Sequence, residues 1–524
     1  MITTIRCTDL IFAGNKYKHF QADRNRSSDF GLHFHNFQYI KSMKRLALPV
    51  LLWMIPVFGL WAQDRPNVVL IIIDDLNDWV GALKGHPQAR TPNIDRLASQ
   101  GMLFTNAHCQ APICGPSRAS LLTGLYPFRT GNYAQLNDED IRKPNEVAAK
   151  AEFLPDLFER HGYVTMGVGK IFHNGDKAKV FDRYGGNFDK YGPSPEKRFQ
   201  YDPKWFREKR GGTQTDWGAY PAHDSLMTDH KSADWAVAQL SKTYDKPFML
   251  TVGFYRPHVP WYVPQPWLDM FVEDSIRTPA YDPGDMQDVP AMGRQVSDVP
   301  MMPTTEWMIR TGKWKAAVRA YLASMAFVDA QVGRVLDALD RSGHAKNTIV
   351  VLLSDHGYHL GEKNRFAKQA LWERDTRVPL IIRRPGGVAG ASSGASVQLL
   401  DIYPTLADLC GLKISAAIDG HSLQPLLKDP GAKWKHPALV SYGPGNMAVR
   451  DDRYRLIRYE DGSEEWYDIL KDPNEWRNLA GNQSVAKRFE TLRAHIPKEW
   501  AASSKYVKYP VNDYFEARYG KGGE

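Results

Sequence analysis

The pattern of apolar and polar positions is clearest just before a pair of aspartates, where every residue from Val68 to Ile73 is apolar. A strand that is apolar at every position is typical of a parallel sheet buried on both faces. A helix is predicted next in TPNIDRLASQG, with Thr91 as its N-cap, Pro92 as its first residue and Gly101 just past its end. Together they predict a first βα unit.

The same alternation of strand and helix patterns recurs further along the chain. The predicted elements are a helix in LPDLFERHG, strands in YVTMGVGK and KPFMLTVGF, a long amphipathic helix over about 313–341, strands in TIVVLLSDHG and VPLIIRRPG, and a helix in LLDIYPTLADLCG. Repeated βα units predict an α/β fold with a large, mostly parallel central sheet flanked by helices on both faces.

The pattern changes from about residue 431. ALVSYG, MAVRDDRYRLIRYEDG and EEWYDILKDPNEWRNLA predict short antiparallel strands, and a terminal helix is predicted near 483–495. We therefore expect a main domain over 63–430 and a small C-terminal subdomain over 431–524. Segments 173–245 and 256–310 are rich in Pro, Gly, Tyr and Trp with little periodicity, and loops of that length are usually functional.

The N-terminal 62 residues have the pattern of an extension followed by a secretory signal. Residues 1–42 are polar, and MKRLALPVLLWMIPVFGLWAQD has the basic start, apolar centre and small residue, Ala62, of a cleaved signal over 43–62. The apolar run is short for a membrane span and contains two prolines, so no anchor is predicted. We expect translation to start at Met43 and residues 1–42 to be an upstream extension of the gene model.

Charge and cysteine content exclude two classes of protein. Residues 1–62 carry five of the eight net positive charges, so the mature chain keeps about +3, which is too weak to predict a nucleic-acid partner. Four cysteines are too few for a disulfide framework. Cys109 and Cys410 are interpreted as packing residues.

Polar pairs follow two of the predicted buried strands. Asp74 and Asp75 come after VVLIII, and Asp355 and His356 come after TIVVLLS. Ligands bind beyond the carboxyl ends of strands in open α/β sheets, so these side chains are expected to converge. An oxygen-rich set favours Ca²⁺ over Zn²⁺. Either pair alone would favour a turn or a helix cap at a strand end, whereas two such pairs on two buried strands favour the metal.

A cysteine, a rigid turn and an arginine stand together in CGPSRASLLTG. Pro116 fixes its own dihedral and Ser117 is predicted to cap a helix that runs to Gly124, which places Cys114 at or just before a helix N-terminus. That position lowers a thiol pKa, and Arg118 adds a permanent positive charge. The residues themselves make Cys114 a candidate nucleophile.

This motif resembles the Cys-x-Pro-Ser-Arg…Leu-Thr-Gly signature of type I sulfatases, whose cysteine is oxidised to formylglycine (3-oxoalanine). DDLNDW, TPNIDRLASQG, GYVTMGVGKIFH, RPHVP, SDHGYHLGEKNRFAKQALWE and DIYPTLADL extend the resemblance over nearly the whole chain after the signal. The GK-x-F-H, PH-x-P and DHG…LGE…K blocks are most similar to the iduronate-2-sulfatase group. The resemblance implies an alkaline-phosphatase-like sandwich and sulfuric ester hydrolysis.

The resemblance also implies a metal site and a nucleophile. Asp74, Asp75, Asp355 and His356 would bind Ca²⁺ together with the modified Cys114. Many sulfatases have Asn at the position of His356, whereas the iduronate group has His. The formylglycine would be hydrated, and one hydroxyl, ionised by the metal and Asp355, would attack sulfur.

Five further residues receive roles from the resemblance. Arg118 would hold the formylglycine, and Lys170 and Lys368 would hold the sulfate oxygens. His258 would give a proton to the departing sugar oxygen, and His173 would take one from the second hydroxyl. Lys170 could instead be an ordinary solvated lysine, and His258 a satisfied loop histidine.

The implied substrate is a sulfated carbohydrate, with a sulfate at O2 of a uronic acid in a glycosaminoglycan or in an algal polysaccharide such as ulvan as one candidate. Trp261 and Tyr262 are candidates for stacking on a sugar face. The alternatives are a choline sulfatase, a phosphonate monoester hydrolase or phosphodiesterase of the alkaline phosphatase superfamily, and a glycan-binding protein on an inactive sulfatase fold. A bacterial host, a periplasmic or secreted location, and modification by a formylglycine-generating or radical sulfatase-maturating enzyme are expected.

We expect the protein isolated from its native host to begin just after Ala62, because the signal over 43–62 is expected to be cleaved there. N-terminal sequencing and peptide mass spectrometry check this. A peptide from residues 1–42 in the native protein would contradict a translation start at Met43.

Overall fold

The structure is a computed structural model that describes residues 65–520, apart from residues 175–178, 190–191, 201, 203–204 and 206–212. The predicted N-terminal extension over 1–42 and the predicted signal over 43–62 lie outside the described residues. No helix in the described part of the chain is long and apolar enough to cross a membrane.

The helices and strands follow one another along the whole described chain. The strands are β1 (Asn67–Ile73), β2 (Met102–His108), β3 (Val164–Gly169), β4 (Arg183–Tyr184), β5 (Trp217–Ala219), β6 (Phe248–Phe254), β7 (Trp261–Val263), β8 (Thr348–Ser354), β9 (Arg377–Arg383), β10 (Ala391–Ser393), β11 (Val397–Gln398), β12 (Ala438–Ser441), β13 (Met447–Arg450), β14 (Tyr454–Arg458) and β15 (Glu464–Asp468). The helices are α1 (Pro92–Gln100), α2 (Cys114–Thr123), α3 (Pro127–Thr130), α4 (Glu146–Ala149), α5 (Leu154–Arg160), α6 (Thr228–Leu240), α7 (Gln265–Asp269), α8 (Ala291–Val296), α9 (Thr305–Arg310), α10 (Trp314–Arg341), α11 (Glu373–Thr376), α12 (Ile402–Leu409), α13 (Gln424–Lys428), α14 (Ala486–Arg493) and α15 (Asp513–Tyr519).

A large central sheet has the order β10-β2-β9-β8-β1-β6-β3-β4, with β11 also paired to β2. Only β9 runs antiparallel to its neighbours among these described strands. The apolar run of β1 is fully buried, and Val68, Leu70 and Ile72 face one hydrophobic core while the residues between them face the other. The predicted mostly parallel sheet with helices on both faces is confirmed.

The direction of β9 keeps the segment between β8 and β9 at one edge of the sheet. The chain leaves β8 at Ser354 and returns at Arg377 without a crossover helix, because α11 is a single turn. Without such a crossover the returning strand runs antiparallel to β8. The intervening segment 355–376 therefore stays at the carboxyl end of β8.

Segments 173–245 and 256–310 contain more regular structure than their composition predicts. They include α6, and β5 pairs in parallel with β7. The buried face of α6 includes the polar residues Thr228, Asp229 and Ser232, so the apolar periodicity that signals a helix is weak there.

The C-terminal sheet is antiparallel, with strands β12 to β15 in consecutive order. The predicted terminal helix corresponds to α14, and α15 was not predicted. Side chains of β13 to β15 share one hydrophobic cluster with β1 and α12. The boundary between residues 430 and 431 stays a prediction, since the described residues all belong to one compact unit.

Buried charges join the two sheets. Glu373 in α11 accepts from Arg450 Nε in β13 at 3.1 Å and from Arg455 Nη2 in β14 at 2.5 Å. Burial raises the pKa of Glu373, but the two guanidinium groups outweigh it and hold the pKa well below its usual value. Glu475 adds a second carboxylate, 3.2 Å from Arg455 Nε. The Glu373 carboxylate thus ties the segment before β9 to the C-terminal sheet.

We expect Glu373→Gln to lower the free energy of unfolding by about 3–5 kcal/mol, because the change leaves buried guanidinium groups without their shared carboxylate. Urea unfolding followed by tryptophan fluorescence measures it. The control is Glu146→Gln, in an exposed pair with Lys150, which is expected to change stability by less than about 1 kcal/mol. Equal effects of the two substitutions would contradict the assignment.

Candidate active site

The two polar pairs meet at the carboxyl edge of the central sheet. β1 and β8 are parallel neighbours, with Ile73 beside Ser354, so Asp74 and Asp75 come out next to Asp355. The backbone N–H of Asp75 donates to Asp355 Oδ1 at 3.2 Å. All three carboxylates are buried, so their repulsion must be offset by positive charge nearby.

Four side chains at this edge lie close enough to share one ion. Single donor atoms of Asp74, Asp75, Cys114 and His356 all lie within 4.8 Å of one another. The fifth predicted ligand, Asp355, lies beside this group, with Oδ1 3.7 Å from His356 Nε2. Its other oxygen accepts from Arg118 Nε at 2.7 Å.

Cys114 is the first residue of α2 and is fully buried. The predicted position at a helix N-terminus is therefore confirmed. The predicted cap at Ser117 is wrong, because the helix has already begun and the Ser117 hydroxyl donates to the Asp355 carbonyl instead. Gln135 binds the first turn, since its Oε1 accepts from the Gly115 N–H at 2.8 Å.

Positive groups surround the sulfur of Cys114. Its Sγ lies 3.2 Å from Lys368 Nζ, 3.7 Å from Lys170 Nζ and 3.1 Å from His356 Nε2. Burial raises the pKa of the Cys114 thiol, but Lys170, Lys368 and His356 outweigh it and hold the pKa well below its usual value. An anion at this position is strongly favoured.

Arg118 cross-links the strand ends from one turn inside α2. Besides Asp355, its guanidinium contacts Asp74 Oδ1 at 3.4 Å and the carbonyl of Ile171 at 3.0 Å. It also donates to the carbonyl of Lys170. Its hydrogen bonds among the described residues thus run to the acids and to the end of β3.

Lys170 is placed by a very close approach of two strand ends. Its N–H donates to the Gly253 carbonyl at 3.0 Å, and a Cβ on Gly253 would lie 2.0 Å from the Lys170 carbonyl oxygen. Gly169, with φ 76°, makes the turn after β3. The buried ammonium forms an ion pair with Asp74. A side chain at position 253 would displace this lysine.

Lys368 lies on the segment between β8 and β9. The N–H of His359 donates to the Ala367 carbonyl at 3.0 Å, which folds the segment back on itself. The ammonium contacts Asp75 Oδ1 at 2.7 Å. Burial lowers the pKa of Lys368, but Asp75 and Cys114 outweigh it and raise the pKa well above its usual value.

His258 is held by an acid that sequence reasoning missed. Asp229 in α6 is buried and accepts from the N–H groups of Tyr255 at 2.7 Å and Arg256 at 2.8 Å. This fixes the segment that carries His258, whose Nε2 lies 3.9 Å from Asp75 Oδ2. A single aspartate early in a helix carries no signal in the sequence that distinguishes it from an ordinary N-terminal acid.

His173 completes the group of predicted side chains. Burial lowers its pKa, and a hydrogen bond with Cys114 opposes that shift. Its Nδ1 is buried without a hydrogen-bond partner among the described residues. All ten predicted site residues therefore lie in one buried cluster, or directly against it.

The donors in this cluster fit a divalent metal. Asp75 Oδ2 is buried and accepts no hydrogen bond from any described residue. His356 Nδ1 is 2.8 Å from the Gly357 carbonyl, so this nitrogen donates to the backbone and Nε2 faces the cluster, where a metal would take the place of its proton.

The electrostatics of the cluster also favour a bound cation. Burial raises the pKa of Asp355, and Arg118 and His356 oppose that shift. Burial lowers the pKa of His356, but Asp355, Cys114 and Asp75 outweigh it and raise the pKa to about 10. The carboxylates and the Cys114 sulfur thus attract positive charge to His356, and the carboxylate-rich donor set suits a hard cation.

The expected sugar-stacking role of Trp261 and Tyr262 is wrong. Their exposed fractions are 0% and 3%. The Trp261 indole donates to the Pro257 carbonyl at 2.8 Å, and the Tyr262 hydroxyl donates to Asp216. Both rings are internal supports of the segment that carries His258.

Comparisons with known proteins agree with this geometry. The family model described as Sulfatase matches residues 66–412, and one described as N-sulphoglucosamine sulphohydrolase, C-terminal, matches residues 361–501. A protein named Sulfatase from Formosa agariphila is 47% identical over 456 residues, covering 85% of this chain and 90% of its own. Iduronate 2-sulfatase from Homo sapiens is 33% identical over 401 residues, covering 67% of this chain and 70% of its own.

The fold is similar to that of a solved 2-O GAG sulfatase. The TM-score is 0.63 at 25% identity, and the match covers 82% of this chain and 91% of that one. The alkaline-phosphatase-like architecture is therefore confirmed. The Sulfatase match over 66–412, the buried cluster around Cys114 and the extent of the Formosa agariphila match establish that this chain is a member of the sulfatase family, a sulfuric ester hydrolase.

Proposed function

We propose that the protein removes sulfate from a sulfated carbohydrate, with 2-O-sulfated uronic acids of glycosaminoglycans or of algal polysaccharides such as ulvan as the substrate class. The observation that carries this is the set of cationic groups around Cys114 Sγ, which suits a tetrahedral anion. The named activities of the human iduronate 2-sulfatase and of the 2-O GAG sulfatase support the position of the sulfate.

We propose that Cys114 is converted to formylglycine and that Asp74, Asp75, Asp355 and His356 hold Ca²⁺ beside it. When present, the aldehyde and the metal supply an activated oxygen nucleophile at position 114. Because Cys114 is fully buried in the folded chain, a formylglycine-generating or radical sulfatase-maturating enzyme must act before folding is complete. Export through the signal over 43–62 gives a periplasmic or secreted location.

Lys170 and Lys368 are proposed to hold the sulfate oxygens. Their ammonium groups approach Cys114 Sγ at 3.7 and 3.2 Å, and each is anchored by a different aspartate. Fixed cations in a buried site stabilise the negative charge that develops on the oxygens in the transition state. Arg118 keeps Asp74 and Asp355 in place and offsets their charge.

Two histidines are proposed to move protons. His258 lies against Asp75 with Nε2 towards the carboxylate, where it can give a proton to the departing sugar oxygen. His173 hydrogen-bonds the side chain at position 114 and has a lowered pKa, so it is suited to accept a proton from that side chain when the sulfate leaves.

We expect Cys114→Ala to lower sulfate release from an aryl sulfate by more than about 10⁴-fold, because it removes the nucleophile. Mass spectrometry of the Cys114 peptide from the native host is expected to show the aldehyde. Cys410→Ala, a buried cysteine of the main domain, is the matched control and is expected to keep full activity. An unmodified thiol in a fully active enzyme, or faster hydrolysis of an aryl phosphodiester, would contradict the proposal.

We expect a chelator to lower activity by about 100-fold or more and Ca²⁺ to restore it. Ca²⁺ is also expected to raise the unfolding temperature, because it binds only the folded chain. Asp75→Asn is expected to abolish that temperature shift, whereas Glu146→Gln on the surface retains it. Full activity after chelation, without any shift on adding Ca²⁺, would exclude the metal.

A further inference from the structure

A cavity of about 190 Å³ lies beside the segment that presents Lys368. Ala367, the residue before the lysine, forms part of its wall, together with Arg365 and Asp298. Arg365 and Lys368 are three residues apart, so their Cα atoms are at most about 11 Å apart. The Arg365 guanidinium lies beside the Lys368 backbone, because its Nη2 donates to the Lys368 carbonyl.

Arg365 is a buried cation that forms no ion pair with any described residue. It is 7% exposed, Nη1 donates to the Ser297 carbonyl at 2.9 Å, and Nη2 donates to the Lys368 carbonyl at 2.5 Å. Its Nε is buried with no hydrogen-bond partner among the described residues. Asp375 and Asp298 influence it through space, without a hydrogen bond.

The other buried cation in the wall is already neutralised. Lys363 forms an ion pair with Asp285 and also donates to the Glu475 carbonyl. Among the described residues, the hydrogen bonds of Arg365 go to carbonyl oxygens, and its guanidinium carbon lies 5.8 Å from the centroid of the Trp372 ring. Burying a guanidinium without a carboxylate is unfavourable, so an anion that enters this cavity gains a large part of its binding free energy from Arg365.

We propose that this cavity is a second anion subsite, in which Arg365 binds a carboxylate or a second sulfate on the same sugar substrate. A water takes about 30 Å³ of liquid volume, so the cavity has room for either group with a few waters. A guanidinium binds carboxylates and sulfates through two parallel hydrogen bonds, and each Nη of Arg365 has a second N–H beyond the one that it donates to a carbonyl. The subsite specifies which sulfated sugars the proposed enzyme prefers, so it rests on the proposed function.

The proposed subsite is rigidly joined to the reaction centre. Nη2 of Arg365 holds the carbonyl of Lys368, while the ammonium of Lys368 reaches Cys114 Sγ at 3.2 Å. An anion on Arg365 therefore binds at a fixed distance from the sulfate position. This distance selects sugars that carry a second negative charge.

Three disaccharides with the same 2-O-sulfate test the proposal. One carries a uronate carboxylate, one has the carboxylate reduced to a hydroxymethyl group, and one is the reduced sugar with a second sulfate. We expect at least one charged sugar to exceed the neutral sugar by about tenfold or more in kcat/KM, mainly through KM. Comparing the two charged sugars shows which anion the subsite takes.

We expect Arg365→Gln to abolish this preference and Arg365→Lys to retain part of it. Because Arg365 also holds the Lys368 backbone, the rate on the neutral sugar can fall too, so the ratio between charged and neutral sugars is the readout. A preference that survives in Arg365→Gln, or equal loss on all three sugars, would overturn the subsite. The latter outcome would make Arg365 only a positioning residue for Lys368.

A second pair of variants tests the subsite independently if Arg365→Gln does not fold. Met286 is a half-buried residue of the cavity wall, so Met286→Glu adds a fixed negative charge and Met286→Gln is its neutral match. We expect the glutamate to lower the charged-to-neutral ratio about tenfold relative to the glutamine. An unchanged ratio would contradict the proposal.

The outcomes separate the subsite from the proposed function. Equal wild-type activity on all three disaccharides would overturn the subsite and leave the sugar sulfatase in place. Activity on an aryl sulfate without activity on any of the disaccharides would overturn both.

Discussion

The repulsion among three buried carboxylates is the constraint on which the site depends. Parallel pairing of β1 with β8 brings Asp74, Asp75 and Asp355 to one edge of the sheet, where all three are fully buried. Carboxylates this close stay ionised together only if buried cations offset them. The chain supplies Arg118 and Lys170, and the lysine and histidine that follow β8 add more charge.

Each of these cations is delivered by a different element, which makes the site dependent on the whole fold. α2 brings Arg118, the turn after β3 brings Lys170, and the segment between β8 and β9 brings Lys368. Gly253 leaves the space that the Lys170 backbone occupies. The C-terminal sheet is tied to the end of that last segment by the carboxylate of Glu373. A disturbance of any of these elements changes the charge balance around Cys114.

Polar atoms without partners mark where ligands belong. One oxygen of Asp75 has no hydrogen-bond partner among the described residues and lies in the cluster that suits a divalent ion, and Arg365, whose Nε likewise has none, lines a cavity next to the segment that carries Lys368. Burial of such atoms is unfavourable unless a ligand satisfies them. The family membership accounts for the first, whereas the second is the basis of the proposed second anion subsite.

The sequence by itself determined the buried strands, the long helix α10 and which residues are candidates for the site. Runs such as β1 and β8 are apolar at every position, and the motif from Cys114 to Arg118 is contiguous, so both are visible in one dimension. Only the tertiary structure decided the contacts between distant segments. It made Ser117 a partner of Asp355 and buried Trp261 as an internal support. Asp229 supports the segment of His258 through contacts between two elements. The Nε of Arg365 has no hydrogen-bond partner among the described residues. Neither feature leaves a periodic pattern in the chain.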